Sequence, residues 1–374
     1  MQATTNDPGA THQKINVADD PQTCGPADPT LRGRLKWPRL LTVAVVVVLV
    51  TTVTASPPFQ PPRTEPFSYA EDPVQAPSWG PPRGGGLLAL DRREGYVQST
   101  SSSVTPDPRT AADDKPAVFE QGCFADEERR SLLSCEYGED DAHLTVALVG
   151  DSSAAQWLPA LEEIARIKDW KIRTYIKARC TLTTADIQAR DSRRDTYDEC
   201  EAWNKRLNDD LTEKRVPDVV ITSASNQFLI KDGAPASARD RINAWPQGLR
   251  NAWSRLSDAG IPVVAVVNTP TPGLPVPGCV EESLDSLQSC AIDRSSAISV
   301  QPAEIESAAS GLSNVKVVDM NDLICPQETC PAVIGGILVY RDDRHITATY
   351  AKSLGKAFFE RVTSGSLDAL PAER

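Results

Sequence analysis

The chain has 374 residues, with 51 acidic against 39 basic side chains and a formal net charge of -12. That balance argues against nucleic-acid binding, because phosphates demand clustered Lys and Arg and no basic stripe with interleaved aromatics occurs. Length alone would admit two or three domains, but much of the amino-terminal third lacks the apolar pattern of a folded core.

In chain order, residues 1–36 are polar, rich in Pro, Asp, Thr and Gln, and have no hydrophobic period, so they read as a disordered cytoplasmic tail. Arg32, Arg34, Lys36 and Arg39 then precede the uncharged apolar run 40–55. The run is a little short of the roughly 20 residues that span a bilayer. Trp37 and Pro38 bring it into range, so 37–56 is expected to be a single transmembrane helix. Its basic flank puts the amino terminus in the cytoplasm and the rest outside the membrane. A cleaved signal peptide competes, since Val53-Thr54-Ala55 resembles a cleavage site, but the segment before it is long for one.

Residues 57–117 carry Pro57-Pro58, Pro61-Pro62, Pro81-Pro82 and Gly84-Gly85-Gly86. Such a stretch cannot bury enough apolar surface to offset its conformational entropy and reads as a disordered linker. Cys24 stands alone before the anchor. The other eight cysteines follow it in successive pairs: Cys123/Cys135, Cys180/Cys200, Cys279/Cys290 and Cys325/Cys330. An even number of external cysteines suits an oxidising compartment, and local disulfide pairing is the simplest arrangement. Zinc is the alternative, at Cys325 and Cys330, although no Cys-x-x-Cys or paired His accompanies them.

The globular part is expected over 118–364, with a flexible tail at 365–374. Short β-branched apolar runs at 144–149, 171–176, 219–222, 263–267 and 315–319 read as strands buried on both faces. Helical patterns at 154–168, 200–214, 240–259, 302–310 and 347–362 alternate with them. Alternating strand and helix predicts a parallel α/β sheet with helices on both faces.

Gly150-Asp151-Ser152 follows the first strand, and a helix follows Ser152. The turn between a strand's carboxyl end and a helix's amino end is where ligands gather in open α/β sheets. Free amides and the helix dipole there favour negative charge. The bland reading is that Ser152 merely caps the helix. Of three histidines, His12 lies in the tail and His143 at the amino end of the first strand, on the wrong edge for chemistry. His345 remains, with Asp342 three residues before it. That spacing lets a carboxylate hold the imidazole Nδ1–H and leaves Nε2 for a serine proton. Asp343 could serve instead, and both Asp342 and His345 could simply cap the last helix.

Together, Leu148-Val-Gly-Asp-Ser-Ser-Ala-Ala-Gln-Trp157 and Tyr340-Arg-Asp-Asp-Arg-His-Ile-Thr347 resemble the SGNH (GDSL-like) hydrolase superfamily. They look most like the SGNH domain of acyltransferase-3 type proteins that O-acetylate surface polysaccharides. The resemblance implies a flavodoxin-like three-layer sandwich with a five-stranded parallel sheet. It implies Ser152 as nucleophile, His345 as general base and Asp342 as the residue orienting that base. Asn226, in Ala224-Ser-Asn-Gln227, matches the family's oxyanion amide, with Ala224 in place of its glycine. No glycine lies between Gly150 and Ala224, so a backbone N–H around Ala178–Cys180 could replace the family's oxyanion glycine. Ser153 stands where close relatives carry a histidine and could touch substrate.

The implied protein is a membrane-tethered extracytoplasmic serine esterase or O-acyltransferase acting on envelope glycans, without metal or cofactor. No multi-helix acyltransferase domain accompanies the module, so a separate membrane protein is expected to donate acyl groups. The alternative is a non-catalytic glycan-binding or scaffold protein on the same fold.

Overall fold

The computed structural model describes residues 104–189, 196–224, 229–231, 234–235, 237–298 and 301–364. The expected tail, transmembrane helix, most of the linker and the carboxyl-terminal tail lie outside these residues. Among the described residues, no helix is long and apolar enough to cross a membrane.

Each of the five apolar runs forms a strand because its alternate residues have a hydrophobic layer to enter on either side. The main sheet contains β1 (Phe124–Ala125), β2 (Cys135–Tyr137), β3 (Leu144–Gly150), β4 (Trp170–Lys177), β5 (Val219–Ser223), β6 (Val263–Val266) and β7 (Val315–Val318). Its order is β1-β4-β3-β5-β6-β7, all parallel, with β2 antiparallel to β4. The five expected strands are β3 to β7, and in sequence order they lie 2-1-3-4-5 across the sheet. Two strands were not expected, so the sheet has seven rather than five. β1 and β2 are too short to show a period of two, and together they cover the outer edge of β4.

Along β3, Val146 and Leu148 enter one hydrophobic cluster while Ala147 and Val149 enter the other. The first cluster lies under α1 (Ser152–Ala155), α2 (Leu158–Lys168) and, from the chain's far end, a closing pair of helices, 348–353 and 355–363. Trp157 stacks on Phe358 with ring centroids 5.1 Å apart, joining the start of α2 to the last helix. The second cluster lies under α3 (Asp198–Asp209), α4 (Ala238–Asp258) and a further helix, Gln301–Ala309. Pro246 sits inside α4, where it costs about 3 kcal/mol. Trp245, Leu249 and Trp253 on the same helix are almost fully buried, and each contributes roughly 2–3 kcal/mol, so burial wins.

Contacts with the folded domain begin earlier than expected among the described residues. The Thr105 N–H donates to the Gly336 carbonyl, and the Leu338 N–H donates to the Thr105 carbonyl. Asp114 accepts from the Ala348 amide through its carbonyl and from the Thr349 amide through Oδ2. Residues 104–117 are therefore a strap packed on the domain rather than the end of a linker. Their Pro and Thr content hid this, because the partners lie more than two hundred residues away.

All four disulfides pair locally: Cys123–Cys135, Cys180–Cys200, Cys279–Cys290 and Cys325–Cys330. The zinc alternative at Cys325 and Cys330 is thereby overturned. Cys180–Cys200 closes a 20-residue separation and anchors the loop after β4 to α3. Loop-closure entropy predicts that Cys180→Ala with Cys200→Ala costs about 3 kcal/mol, against about 2 kcal/mol for the short Cys325–Cys330 loop. Urea midpoints of the two double variants test that order.

Candidate active site

β3 ends at Gly150, whose φ is +141°. A Cβ there would lie 2.9 Å from both the Ala154 Cβ and the Ser223 carbonyl oxygen, so the turn closes only around glycine. Asp151 then caps α1: its Oδ1 accepts from the Ser153 amide at 2.8 Å, and its carbonyl accepts from Ala154 and Ala155. Capping is thus the work of Asp151, and the Ser152 hydroxyl is not used for it. As the first helical residue, Ser152 also has an amide with no acceptor inside the helix.

The second turn closes on Asp342. The Arg341 amide donates to the His345 carbonyl at 2.9 Å, while Asp342 Oδ1 accepts from the amides of Arg344 and His345 at 2.8 and 2.7 Å. Asp342 Oδ2 lies 2.7 Å from His345 Nδ1. A carboxylate can only accept, so Nδ1 carries the proton and Nε2 is free to accept. His345 Nε2 lies 2.9 Å from Ser152 Oγ, across 193 residues of sequence. Asp343, the other candidate, pairs with Arg344 instead. The helix that follows, α5 (Ala348–Ser353), is capped by Thr347 Oγ1, so neither Asp342 nor His345 is needed there.

Burial pushes the Asp342 carboxyl up, but the hydrogen bond and charge of His345, with the amides of His345 and Arg344, outweigh it and hold it at about 2. The buried Arg341 guanidinium adds a cation, with its Nε 3.8 Å from Asp342 Oδ2. Asp151 moves the other way: burial raises its carboxyl, against the Ser153 hydrogen bonds and the charge of His345.

The remaining expected residues fare differently. Ser153 is buried, and its side chain hydrogen-bonds the Asp151 carboxyl. The Ala178 amide donates to the Ala125 carbonyl at 2.8 Å and the Cys180 amide to the Lys177 carbonyl at 3.2 Å. Capture by β1 therefore removes Ala178 as an oxyanion donor. Asn226 lies outside the described residues. Among the described residues, no group of three or more His, Cys, Asp or Glu could hold a metal ion.

One residue of the site escaped the sequence. Gln156 is 1% exposed; its Nε2 donates to the Ser153 carbonyl at 3.1 Å and to Thr269 Oγ1 at 3.2 Å, and its Oε1 accepts from the Ile346 amide at 3.2 Å.

Strand order 2-1-3-4-5 places the topological switch point between β3 and β5, and Ser152 stands at the carboxyl end of β3. A serine, a histidine and an aspartate in hydrogen-bonded series at that point define an α/β domain of hydrolase type. Residues 122–360 match the family described as SGNH domain (fused to AT3 domains), and the chain belongs to that family. Solved structures it is similar to include the periplasmic domain of a Salmonella ser. Paratyphi A lipopolysaccharide acetyltransferase. The two share 14% identity with a TM-score of 0.45, over 60% of this chain and 85% of that one. Another is a protein assigned as an acylhydrolase from Bacteroides fragilis NCTC 9343, at 11% identity and TM-score 0.34, over 60% and 88%. A search of curated proteins finds no match.

A carboxyl held below its ordinary value stabilises the fold above the unfolded pKa and loses that contribution as pH falls. For Asp342 the window runs from about pH 4 down through about 2. The side chain is 38% exposed, so solvent screening keeps the effect small. Asp342→Asn should flatten the fall in unfolding free energy across this window relative to wild type, measured by urea titration at pH 4 and pH 2 (about the two pKa limits).

Proposed function

We propose that this protein is an extracytoplasmic serine esterase or O-acyltransferase that works through an acyl-enzyme on Ser152. The observation that carries this is the unbroken series Ser152 Oγ, His345 Nε2, His345 Nδ1, Asp342 Oδ2, with contacts of 2.9 and 2.7 Å. Ser152 Oγ attacks the ester carbonyl as its proton passes to His345 Nε2. The carbon–oxygen bond to the alcohol breaks, and His345 returns the proton to that leaving oxygen. Water or a sugar hydroxyl then attacks the acyl-enzyme, giving its proton to His345, and Ser152 Oγ leaves with a proton. Asp342 holds the imidazole in the tautomer this needs and stabilises the imidazolium.

The tetrahedral oxyanion needs donors, and the Ser152 amide at the positive end of α1 is one. With the Ala178 amide committed to Ala125, the Asn226 side chain is proposed as the second. Four disulfides suit an oxidising compartment. The apolar run at 37–56, with the basic cluster before it, is proposed to tether the domain to the membrane with its amino terminus inside. The family's description ties its domain to AT3 domains. This favours O-linked acyl groups of envelope glycans as substrates and a separate multi-helix membrane acyltransferase as donor. One observation favours the second reading, a non-catalytic glycan-binding domain: the expected amide at Ala178 is spent.

A fluorophosphonate probe should label wild type and not Ser152→Ala; equal labelling of both would end the acyl-enzyme reading. On a small acetyl ester, Asp342→Asn should lower kcat by about 10⁴. In the same assay Asn226→Ala should lower kcat by about 10²–10³ with little change in KM, and an unchanged rate would remove Asn226 from the oxyanion site.

A further inference from the structure

We propose that Gln156 is a positioning residue that sets the approach of His345 to Ser152; this rests on the acyl-enzyme reading above. Ser152 sits on α1 and His345 on a loop 193 residues later, so nothing local fixes their separation. The Gln156 amide touches the immediate neighbour of each. Its Nε2 donates to the carbonyl of Ser153, one residue past the nucleophile, and its Oε1 accepts from the amide of Ile346, one residue past the histidine. A third link, to Thr269 Oγ1, fastens the pair to the chain beyond β6. Only a side chain that donates and accepts at once, at the reach of Gln, makes all three bonds.

The links are buried. Gln156 is 1% exposed, Thr269 is 3% and Ile346 is 1%. Water therefore has little access to replace them, and their loss moves the histidine loop relative to α1. Misplacement of reacting groups by about 1 Å lowers a rate by about 10²-fold without weakening substrate binding. The effect belongs in kcat rather than KM. A Gln that only satisfied itself in the core would alter thermal stability and leave the turnover of the folded protein alone.

The test compares full-length wild type, Gln156→Met and Thr269→Val. Met keeps an unbranched side chain of similar size and makes none of the three bonds. For Gln156→Met the expected result is a kcat on a small acetyl ester lower by about 100-fold. KM stays within about twofold, and the His345 ring resonances shift in histidine-selective NMR. Thr269→Val keeps the link to Ile346 and should lower kcat by no more than about tenfold, the worth of one hydrogen bond, again with shifted His345 resonances. If Gln156→Met does not fold, Thr269→Val decides alone. A folded variant with wild-type kcat and unshifted His345 resonances overturns the proposal while leaving the acyl-enzyme reading intact. A wild type inert to fluorophosphonate sinks the acyl-enzyme reading instead, and the ring resonances still decide whether Gln156 positions the imidazole.

Discussion

The contact between Ser152 and His345 exists because two remote turns are each closed by their own carboxylate. Asp151 closes the first by taking the Ser153 amide. Asp342 closes the second by taking the amides of Arg344 and His345. Both use the short reach of Asp to bond backbone a few residues ahead, which fixes each turn without a long-range contact. Asp342 has a second oxygen to spare, and it holds the imidazole. The same carboxylate thus shapes the loop and sets the tautomer, so the ring arrives at Ser152 already oriented. Parallel topology does the rest, delivering both turns to one edge of the sheet.

How far the sequence discloses this depends on how local each cause is. Strands β3 to β7 were legible because a strand covered on both faces reads as a short, nearly unbroken apolar run. The pair Asp342 and His345 was legible because its spacing is a property of one turn. Gln156 was not, since a Gln near the start of a helical pattern carries no sign of a distant partner. Its partners Thr269 and Ile346 lie 113 and 190 residues away. Ala178 shows the same limit. Any residue but proline has an amide to offer, yet only the pairing of β1 with β4 determines that Ala125 receives it.

Electrostatics extends the site beyond the three reacting residues. Arg341 is 6% exposed, and an unpaired buried cation costs several kcal/mol. Asp342 is its ion-pair partner, the charge of Asp114 also favours its protonated form, and its guanidinium lies 5.2 Å from the Phe119 ring centroid. Asp114 belongs to the strap and Phe119 follows it by two residues. The loop that carries His345 is consequently held by Gln156 and also braced by the strap and Phe119 just after it. In the proposed mechanism, His345 taking the serine proton would give Asp342 a second neighbouring cation beside Arg341. A carboxyl so placed would stay ionised through the proposed reaction, in keeping with its low pKa.

The exposure of the site bears on what becomes of an acyl-enzyme. The His345 side chain is 14% exposed and that of Asp342 38%. Water outnumbers any sugar hydroxyl by a wide margin at an open surface, so a shallow site on its own hydrolyses. Transfer demands that the acceptor cover Ser152 before the acyl group arrives, displacing the water that would compete. An extended glycan, the proposed substrate, would supply that cover by binding along the surface on both sides of the reacting hydroxyl. In the proposed mechanism the choice between esterase and transferase is therefore set less by Ser152, His345 and Asp342, which would serve both outcomes equally, than by the surface around them.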